Sequence, residues 1–322
     1  MVKKTVLLFP GQGSGKQGMA LDFLAVSTGA KRLFETASET MGRDMEELLR
    51  TADEESLKRS DIAQPAITLA NLAAAAFLRE KGMEVCASAG HSLGEYAALV
   101  VSQSITAEDV FRLVKARGEA MQKTAERIKT EAGDPPGMAA VLGLPPGEVE
   151  RLIAAWSAAG LEGLYAANIN SPRQLVVSGS AEALSEAEKR FREAGARRVV
   201  RLAVAGPFHS PLMREAAESF RPVLEQVTFK DPVIPFYSNV TGTEIKSGEE
   251  IKRLALLQIT SPVRWVDEEK AINAAGGFAQ VLEAGPGTVL QGLWKEISEI
   301  PCLGAGTVKE IELTLRVNFR LT

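Results

Sequence analysis

The first candidate for chemistry is a serine within a short glycine motif. Residues 90–94 read Gly-His-Ser-Leu-Gly, the pattern G-x-S-x-G, between a strand-like run and a helix-like run. In that context the serine lies on a strained turn, and the residues two before and two after it must lack bulk. The pattern predicts a nucleophile at Ser92, with the backbone N–H of Leu93 and the helix N-terminus facing a developing oxyanion. The alternative is a glycine-rich turn that carries an ordinary serine.

A serine nucleophile needs a base, and the sequence contains two histidines. His91 is adjacent to Ser92, so its side chain leaves the turn in a different direction. His209, which follows a strand-like run, is the candidate by elimination; the alternative is a structural histidine on a loop. No Asp or Glu stands in a pattern that marks it as the third member of a triad. A backbone or amide carbonyl could therefore hold the imidazole instead.

An arginine interrupts the apolar face of a predicted helix that begins near Thr106. The positions that share this face by helical spacing are Val110, Leu113, Val114, Arg117 and Met121. A buried guanidinium without a partner is costly. Arg117 therefore pairs with a protein carboxylate, extends to the surface, or binds an anionic ligand. Arginine suits bidentate capture of a carboxylate, and the serine motif favours the ligand.

The glycine-rich loop at residues 10–17, Pro-Gly-Gln-Gly-Ser-Gly-Lys-Gln, does not match a phosphate-binding loop. That motif requires a glycine five positions before its Gly-Lys pair and Ser or Thr after it. Here Pro10 and Gln17 stand at those positions. Because the loop follows the first predicted strand, we expect it to supply a backbone N–H to an oxyanion hole.

Strand and helix patterns alternate in the first and last parts of the chain, as in an α/β domain. The first part predicts strands at 5–9 and 85–89, and helices at 30–50, 62–81, 95–102 and 106–129. From residue 207 the patterns predict strands at 233–237 and 279–283, and helices at 211–227, 249–259 and 288–297. Residues 309–322 receive no assignment.

Between these parts, residues 138–203 follow the order strand–helix–strand–strand–helix–strand of a ferredoxin-like unit. The preceding residues 131–137, Glu-Ala-Gly-Asp-Pro-Pro-Gly, have the composition of a linker. The predicted fold is an α/β-hydrolase-like large domain with a parallel sheet, plus a small inserted ferredoxin-like α+β domain. We expect the large domain at 1–132 and 205–322 and the small domain at 137–204.

The composition excludes several classes of function. The chain has 322 residues, 45% of them apolar, and a net charge of −4, which allows a large core and does not indicate a nucleic-acid-binding surface. Cys86 and Cys302 lack the spacing of a metal site or a disulfide framework. The sequence has no run of about 18 apolar residues, so it does not predict a membrane helix. The N-terminal pattern indicates a first strand and not a secretory signal. We expect a cytoplasmic protein without a metal.

Together the motifs resemble the malonyl-CoA:acyl carrier protein transacylase family over nearly the whole chain, to about residue 305. The resemblance rests on ordered segments at residues 9–14, 64–66, 90–96, 117–118, 138–141, 168–172, 208–210, 238–242, 258–265 and 283–287. The sequence departs from the family at Gly15, where Gln is usual, and beyond residue 306, where the usual C-terminus is not found.

The resemblance implies a role for each candidate residue. Ser92 would be acylated, His209 would be the base, and the backbone N–H groups of Gln12 and Leu93 would form the oxyanion hole. The main-chain carbonyl of Gln258 would orient the histidine in place of a carboxylate. The residues assigned to substrate binding are Arg117, Gln258, Phe208, Met121 and Asn168. Among these, Arg117 would hold the free carboxylate of malonate. Phe208 resembles the residue found at this position in family members that prefer malonyl over methylmalonyl.

The implied function is the two-step transfer of a malonyl group from coenzyme A to the phosphopantetheine thiol of acyl carrier protein in fatty acid synthesis. No cofactor is expected, and the family implies a monomer. The carrier is typically acidic, and the small domain contains the basic residues Lys189, Arg190, Arg192, Arg197, Arg198 and Arg201. Some of these, with Arg197, Arg198 and Arg201 as the candidates, would form its docking surface, or else a solvated charged face. The alternatives are a serine hydrolase or thioesterase, a non-catalytic carrier-binding module, and a trans-acting acyltransferase of polyketide assembly.

Overall fold

A computed structural model describes residues 3–132 and 135–319 of the chain. Its strands form two separate sheets. The strands are β1 (Lys4–Phe9), β2 (Glu84–Gly90), β3 (Gly137–Leu142), β4 (Leu164–Ser171), β5 (Gln174–Gly179), β6 (Arg198–Arg201), β7 (Phe236–Ser238), β8 (Thr243–Ile245), β9 (Gln280–Glu283) and β10 (Cys302–Gly304).

Helices surround both sheets. They are α1 (Leu21–Val26), α2 (Thr28–Met41), α3 (Met45–Thr51), α4 (Ser60–Glu80), α5 (Gly94–Val101), α6 (Ala107–Ala132), α7 (Pro146–Ala158), α8 (Ala181–Glu193), α9 (Arg214–Gln226), α10 (Gly248–Leu257), α11 (Trp265–Ala275), α12 (Val289–Trp294) and α13 (Val308–Phe319). Helices α7 and α8 pack on the strands β3 to β6.

The six-stranded sheet has the order β10-β9-β1-β2-β7-β8, and its pairs are parallel except for the antiparallel pair β7–β8. Residues 6–9 of its central strand β1 are fully buried, as expected of a parallel sheet that helices cover on both faces. Phe9 at the end of β1 pairs with Gly90 at the end of β2. This register brings the loop after β1 beside the serine turn.

The four-stranded sheet has the order β4-β5-β3-β6, with every pair antiparallel. This is the ferredoxin-like arrangement that the element order predicts. One face of it has a core of its own, whereas Met138, Ala140 and Val176 pack into the main core, and β4 also hydrogen-bonds to the rest of the fold. There the Ile169 N–H donates to the Val263 carbonyl, and the Val263 N–H donates to the Ala167 carbonyl, both at 2.8 Å. The predicted fold class is therefore confirmed.

Helix α4 is the one helix, within the described residues, that is long and apolar enough to cross a membrane by length and composition. Of its apolar 18-residue window, 83% is buried inside the fold. The helix packs between α2 and α6. That position is the one expected of a core helix.

Several predicted elements need correction. The helix expected at 30–50 is two helices, because Gly42 ends α2 with a φ of 67° and the Asp44 side chain caps α3. The strand expected at 233–237 begins only at Phe236, because Pro235 has no N–H and the N–H of Val233 donates to Ser102. The helix expected at 211–227 begins as a 3₁₀ turn, and α9 starts at Arg214.

The sequence patterns missed α1, β8, α11, β10 and α13. Helix α11 has no continuous apolar stripe, because its buried face carries Glu268 and Glu269. Helix α13 lies in the C-terminal segment that received no assignment. Residues 320–322, which follow it, lie outside the described residues. The predicted linker at 131–137 includes residues 133–134, which also lie outside them. The predicted domain boundaries stay predictions.

Candidate active site

The serine turn has the strained geometry that its glycines predict. Ser92 has a φ of 51°, in the left-handed region that a side chain disfavours. A Cβ atom at Gly90 would overlap the main chain of Gly94, and a Cβ atom at Gly94 would overlap the carbonyl of Phe9. Both positions therefore require glycine, since β1, β2 and α5 meet here at backbone contact.

A hydrogen bond joins the two residues expected to perform nucleophilic chemistry. The Ser92 Oγ lies 2.7 Å from the His209 Nε2, and the imidazole is 3% exposed. His209 also has a positive φ of 57°. His91 points elsewhere, with its Nε2 2.8 Å from the Asn170 Oδ1 and its ring centroid 5.5 Å from that of Trp265. His209 is therefore the histidine in position to accept the serine proton.

A main-chain carbonyl holds the other side of this imidazole. The His209 Nδ1 lies 2.9 Å from the carbonyl oxygen of Gln258. Because a carbonyl only accepts, the Nδ1 carries the proton and the Nε2 is free to accept from Ser92. Burial, followed by the positive charge of Arg117, lowers the pKa of His209 to about 3. The imidazole is thus neutral at physiological pH.

Arg117 is 1% exposed, and both ends of its fork donate to neutral amides. Its Nη1 donates to the Gln64 Oε1 at 2.9 Å, and its Nη2 donates to the Gln258 Oε1 at 3.0 Å. The Nε has no hydrogen-bond partner within the described residues, and the guanidinium lies 5.3 Å from the ring centroid of Tyr96. Burial lowers the pKa of Arg117. The site holds an oriented cation whose hydrogen-bond partners are neutral, an arrangement that suits an anionic ligand.

Gln258 connects the parts of the site. Its carbonyl accepts from His209, its side-chain oxygen accepts from Arg117, and its Nε2 donates to the carbonyl of Ser92 at 3.0 Å. One residue at the end of α10 therefore contacts nucleophile, base and arginine. The resemblance implies the carbonyl contact and a place among the substrate-binding residues, and the side-chain contacts with Arg117 and Ser92 are additional findings.

The loop after β1 lies against the serine turn, as expected. A Cβ atom at Gly11 would lie 2.5 Å from the carbonyl oxygen of His91, so the two backbones are in close contact. The Gln12 Nε2 contacts the carbonyl of Lys58 and the Oγ of Ser60, each at 3.2 Å. Leu93 is buried at the start of α5. The oxyanion-hole roles of Gln12 and Leu93 stay predictions.

The remaining residues assigned to substrate binding fall in two places. Met121 lies beside the arginine, because its Sδ is 3.4 Å from the Gln64 Nε2. Phe208 is 6% exposed and precedes the base, and its carbonyl accepts from the Ser178 Oγ. Asn168 instead lies on β4, with its Nδ2 3.5 Å from the His91 Nε2. Its described hydrogen bond is to the second histidine and not to the reacting groups.

Two residues of the site received no role from the sequence. Gln64 is a polar residue on the Ala- and Leu-rich helix α4 and carries no charge of its own, but it accepts from Arg117. A polar side chain within such an apolar helix was the signal that could have identified it, because a buried amide needs a partner. Asn239 follows β7 and accepts the N–H of Ser92 on its Oδ1 at 2.7 Å. Asn239 lies in a segment that contributes to the family resemblance but received no role of its own. A polar residue after a strand forms no sequence pattern that would identify its partner.

In this α/β fold a neutral, buried imidazole is hydrogen-bonded to a serine hydroxyl at the end of a parallel strand. Serine enzymes that transfer acyl groups have this arrangement. The family model described as acyl transferase domain matches residues 6–300. The chain belongs to this acyl transferase family. Within the described residues, no cluster of three or more His, Cys, Asp or Glu could hold a metal ion.

Relatives and solved structures agree on the same branch of the family. The chain is 36% identical to the malonyl CoA-acyl carrier protein transacylase of Bacillus subtilis (strain 168) over 320 residues, 98% of this chain and 97% of the relative. The structure of the malonyl CoA-acyl carrier protein transacylase from Clostridium perfringens matches with a TM-score of 0.90 and 33% identity, covering 99% and 98% of the two chains. A malonyl-transacylase solved in complex with its type II polyketide acyl-carrier protein matches with a TM-score of 0.87 and 34% identity, covering 98% and 100%.

Proposed function

We propose that this protein transfers a malonyl group from coenzyme A to the phosphopantetheine thiol of an acyl carrier protein, for fatty acid synthesis. The observation that carries the proposal is that a serine–histidine pair and a buried arginine meet on one residue, Gln258. The names of the similar proteins from Bacillus subtilis and Clostridium perfringens support the same substrates. We also expect a monomer in the cytoplasm, with a small domain at 137–204.

In the first step Ser92 attacks the thioester carbonyl of malonyl-CoA. The neutral Nε2 of His209 takes the hydroxyl proton as the Oγ–C bond forms. The C–S bond then breaks, and the imidazolium returns the proton to the sulfur of coenzyme A. The backbone N–H groups of Gln12 and Leu93 are proposed to stabilise the oxyanion, since the N–H of Ser92 already donates to Asn239.

In the second step the thiol of the carrier enters in place of coenzyme A. His209 takes the thiol proton, the sulfur attacks the malonyl ester, and the serine oxygen leaves with the proton that the imidazolium returns. The chemistry needs no group beyond these side chains and backbone donors. Because the acyl-enzyme must react with a thiol and not with water, a buried imidazole is an advantage.

Arg117 is proposed to select the malonyl group by its free carboxylate. The fork is already oriented by Gln64 and Gln258, so little rotamer freedom is lost when the carboxylate binds. An acetyl group would leave the buried charge without a partner, at a cost of about 2–5 kcal/mol by analogy with broken buried pairs. Phe208 and Met121 would bound the pocket for the acyl group.

The alternatives are less well supported. A serine hydrolase would be expected to use an acidic partner for its histidine, whereas His209 donates to a carbonyl. It would also have no use for a buried arginine beside its nucleophile. A polyketide carrier is favoured as a second candidate partner by one specific observation, the similarity to a malonyl-transacylase solved with a type II polyketide carrier. Transfer rates to purified carriers of both kinds would decide between them.

The proposal is tested by incubating the protein with malonyl-CoA and measuring the intact mass. We expect one added malonyl group per chain, removed when carrier protein is supplied. The adduct should be absent in Ser92→Ala and present in Ser102→Ala, a buried serine whose Oγ donates to the Leu99 carbonyl and which lies outside the site. Failure of the unaltered protein to form an adduct would exclude the proposed reaction.

We further propose that Arg197, Arg198 and Arg201 contribute to binding of the carrier. All three are exposed at β6. The neighbouring arginines of α8 form ion pairs within their own helix, Arg190 with Glu186 and Arg192 with Glu188. The more favourable site for an acidic partner is therefore the strand and not the helix.

Charge reversal checks this surface. The double variant Arg197→Glu, Arg198→Glu is expected to raise the apparent KM for the carrier about tenfold at low salt, because electrostatic steering of an acidic partner is lost. The effect should shrink as salt is added, and KM for malonyl-CoA should stay constant. Lys246→Glu, at an exposed lysine beside β8, is the matched reversal on the other sheet and should have no such effect. An unaltered KM for the carrier would remove this surface from the proposal.

A further inference from the structure

Asn239 makes two hydrogen bonds to the backbone that enters the strained serine turn. Its Oδ1 accepts the N–H of Ser92 at 2.7 Å, and its Nδ2 donates to the carbonyl of Gly90 at 2.8 Å. These contacts fix the two successive peptide groups on either side of His91, which lead into Ser92. Neither contact touches the serine hydroxyl or the imidazole.

The amide of Asn239 can have only one orientation. The Nδ2 faces two acceptors, the Gly90 carbonyl and the Glu268 Oε1 at 2.7 Å. The Oδ1 faces two donors, the Ser92 N–H and the Gln258 Nε2 at 3.2 Å. A flipped amide would oppose donor to donor at the Ser92 N–H and the Gln258 Nε2, and acceptor to acceptor at the Gly90 carbonyl.

The main chain of Asn239 is held as firmly as its side chain. Its N–H donates to the Glu95 Oε2 at 2.7 Å, and its carbonyl accepts the N–H of Arg264 at 2.8 Å. The residue is fully buried, as is Glu268. A fully buried network with this many bonds has little freedom to change its geometry.

We propose that Asn239 is a positioning residue for the acyl transfer, which holds Ser92 in its left-handed conformation with the Oγ directed at His209, and that Glu268 fixes the amide that does so. Left-handed backbone at a residue with a side chain persists only where its surroundings over-determine it. Asn239, at the end of β7 beside β2, holds the peptide group before Ser92, and the Gln258 Nε2 holds the carbonyl of Ser92 on the other side. The inference rests on the proposed function.

Glu268 presents a carboxyl oxygen to the Asn239 amide, and its burial favours the neutral form. Its carboxyl is fully buried, and burial, together with the nearby Glu95, raises the pKa of Glu268 well above its usual range. A protonated carboxyl still offers the Oε1 to the Asn239 Nδ2. A glutamine presents the same oxygen with similar shape and no charge. Glutamine should therefore replace Glu268, whereas alanine should not.

The test measures single-turnover acylation by malonyl-CoA, followed by intact mass. In Asn239→Ala the rate constant at saturating substrate should fall about 100-fold, because a misplaced nucleophile loses rate without losing substrate contacts. The half-saturating concentration of malonyl-CoA should change less than about threefold, because the acyl-binding arginine is retained. Acylation of Asn239→Ala at the rate of the unaltered protein would overturn the inference. So would a variant in which only the half-saturating concentration of malonyl-CoA rises and the rate constant at saturation is unchanged. If even the unaltered protein forms no adduct, the proposed function fails instead.

A second set of variants keeps the test informative if Asn239→Ala does not fold. Glu268→Ala should slow acylation at least about tenfold, and Glu268→Gln should restore it to within about twofold, as expected when only an oriented acceptor is needed. Glu269→Ala is the matched control, since it removes a buried carboxyl of the same helix that accepts from Trp265 and not from Asn239. Equal rates in the two alanine variants, or no restoration by glutamine, would overturn the role of Glu268.

Discussion

Replacing His209 with alanine is expected to lower kcat for malonyl transfer about 10⁵-fold, the scale of loss when a serine enzyme loses its base. The reason is that the Ser92 hydroxyl then has no acceptor for its proton, since the Nε2 at 2.7 Å is removed. Transfer of labelled malonyl from coenzyme A to carrier protein measures the loss. His91→Ala is the matched control and should cost at most about tenfold, because that ring contacts Asn170 and Trp265. Equal losses in both variants would contradict the assignment of the base.

The pH dependence follows from the same imidazole. The pKa of His209 is lowered to about 3, so the free enzyme keeps its base neutral far below the ordinary value of 6.5. We therefore expect kcat/KM for malonyl-CoA to show no loss from His209 between pH 8 and about pH 5, since this ratio reports the free enzyme. Between pH 6.5 and about 3 the unfolded chain binds a proton at His209 that the native chain does not. The contribution of this group to stability accordingly falls as the pH falls.

Replacing Arg117 with alanine is expected to lower kcat/KM for malonyl-CoA by about 10²- to 10³-fold, as for the loss of one partner of a buried charge pair. The same change should raise transfer of acetyl groups, because a neutral acyl group no longer leaves a buried guanidinium unpaired. Arg117 is 1% exposed and donates to Gln64 and Gln258, so water does not replace a missing carboxylate. Competition between malonyl-CoA and acetyl-CoA measures the change in selectivity.

Two further variants control the arginine experiment. Arg117→Lys keeps the charge but cannot reach both glutamine oxygens with a planar fork, so it should recover only part of the malonyl activity. Arg112→Ala removes an exposed arginine of the same helix, paired with Glu108, and should change kcat/KM less than about twofold. Selectivity for malonyl that survives in Arg117→Ala would show that another group recognises the carboxylate.

Features of the site that depend on residues close together in the sequence were predictable from the sequence alone. The turn at residues 90–94 requires glycine at both ends because β1, β2 and α5 meet there at backbone contact. Arg117 was identifiable because helical spacing puts it among apolar residues. The ferredoxin-like sheet followed from its order of elements, and its observed strand order agrees. With two histidines in the chain, the base was a choice by elimination.

Contacts across long separations were not predictable in this way. Ser92 and His209 are 117 positions apart, Arg117 and Gln258 are 141 apart, and Asn239 bonds to Ser92 across 147. Which polar groups meet depends on how α4, α6, α10 and β7 pack around β1 and β2. That packing is set by burial of the whole apolar core, to which every element contributes and which no local pattern records. The amide partners of Arg117 and the bonds that Asn239 makes around the nucleophile therefore emerged only from the folded chain.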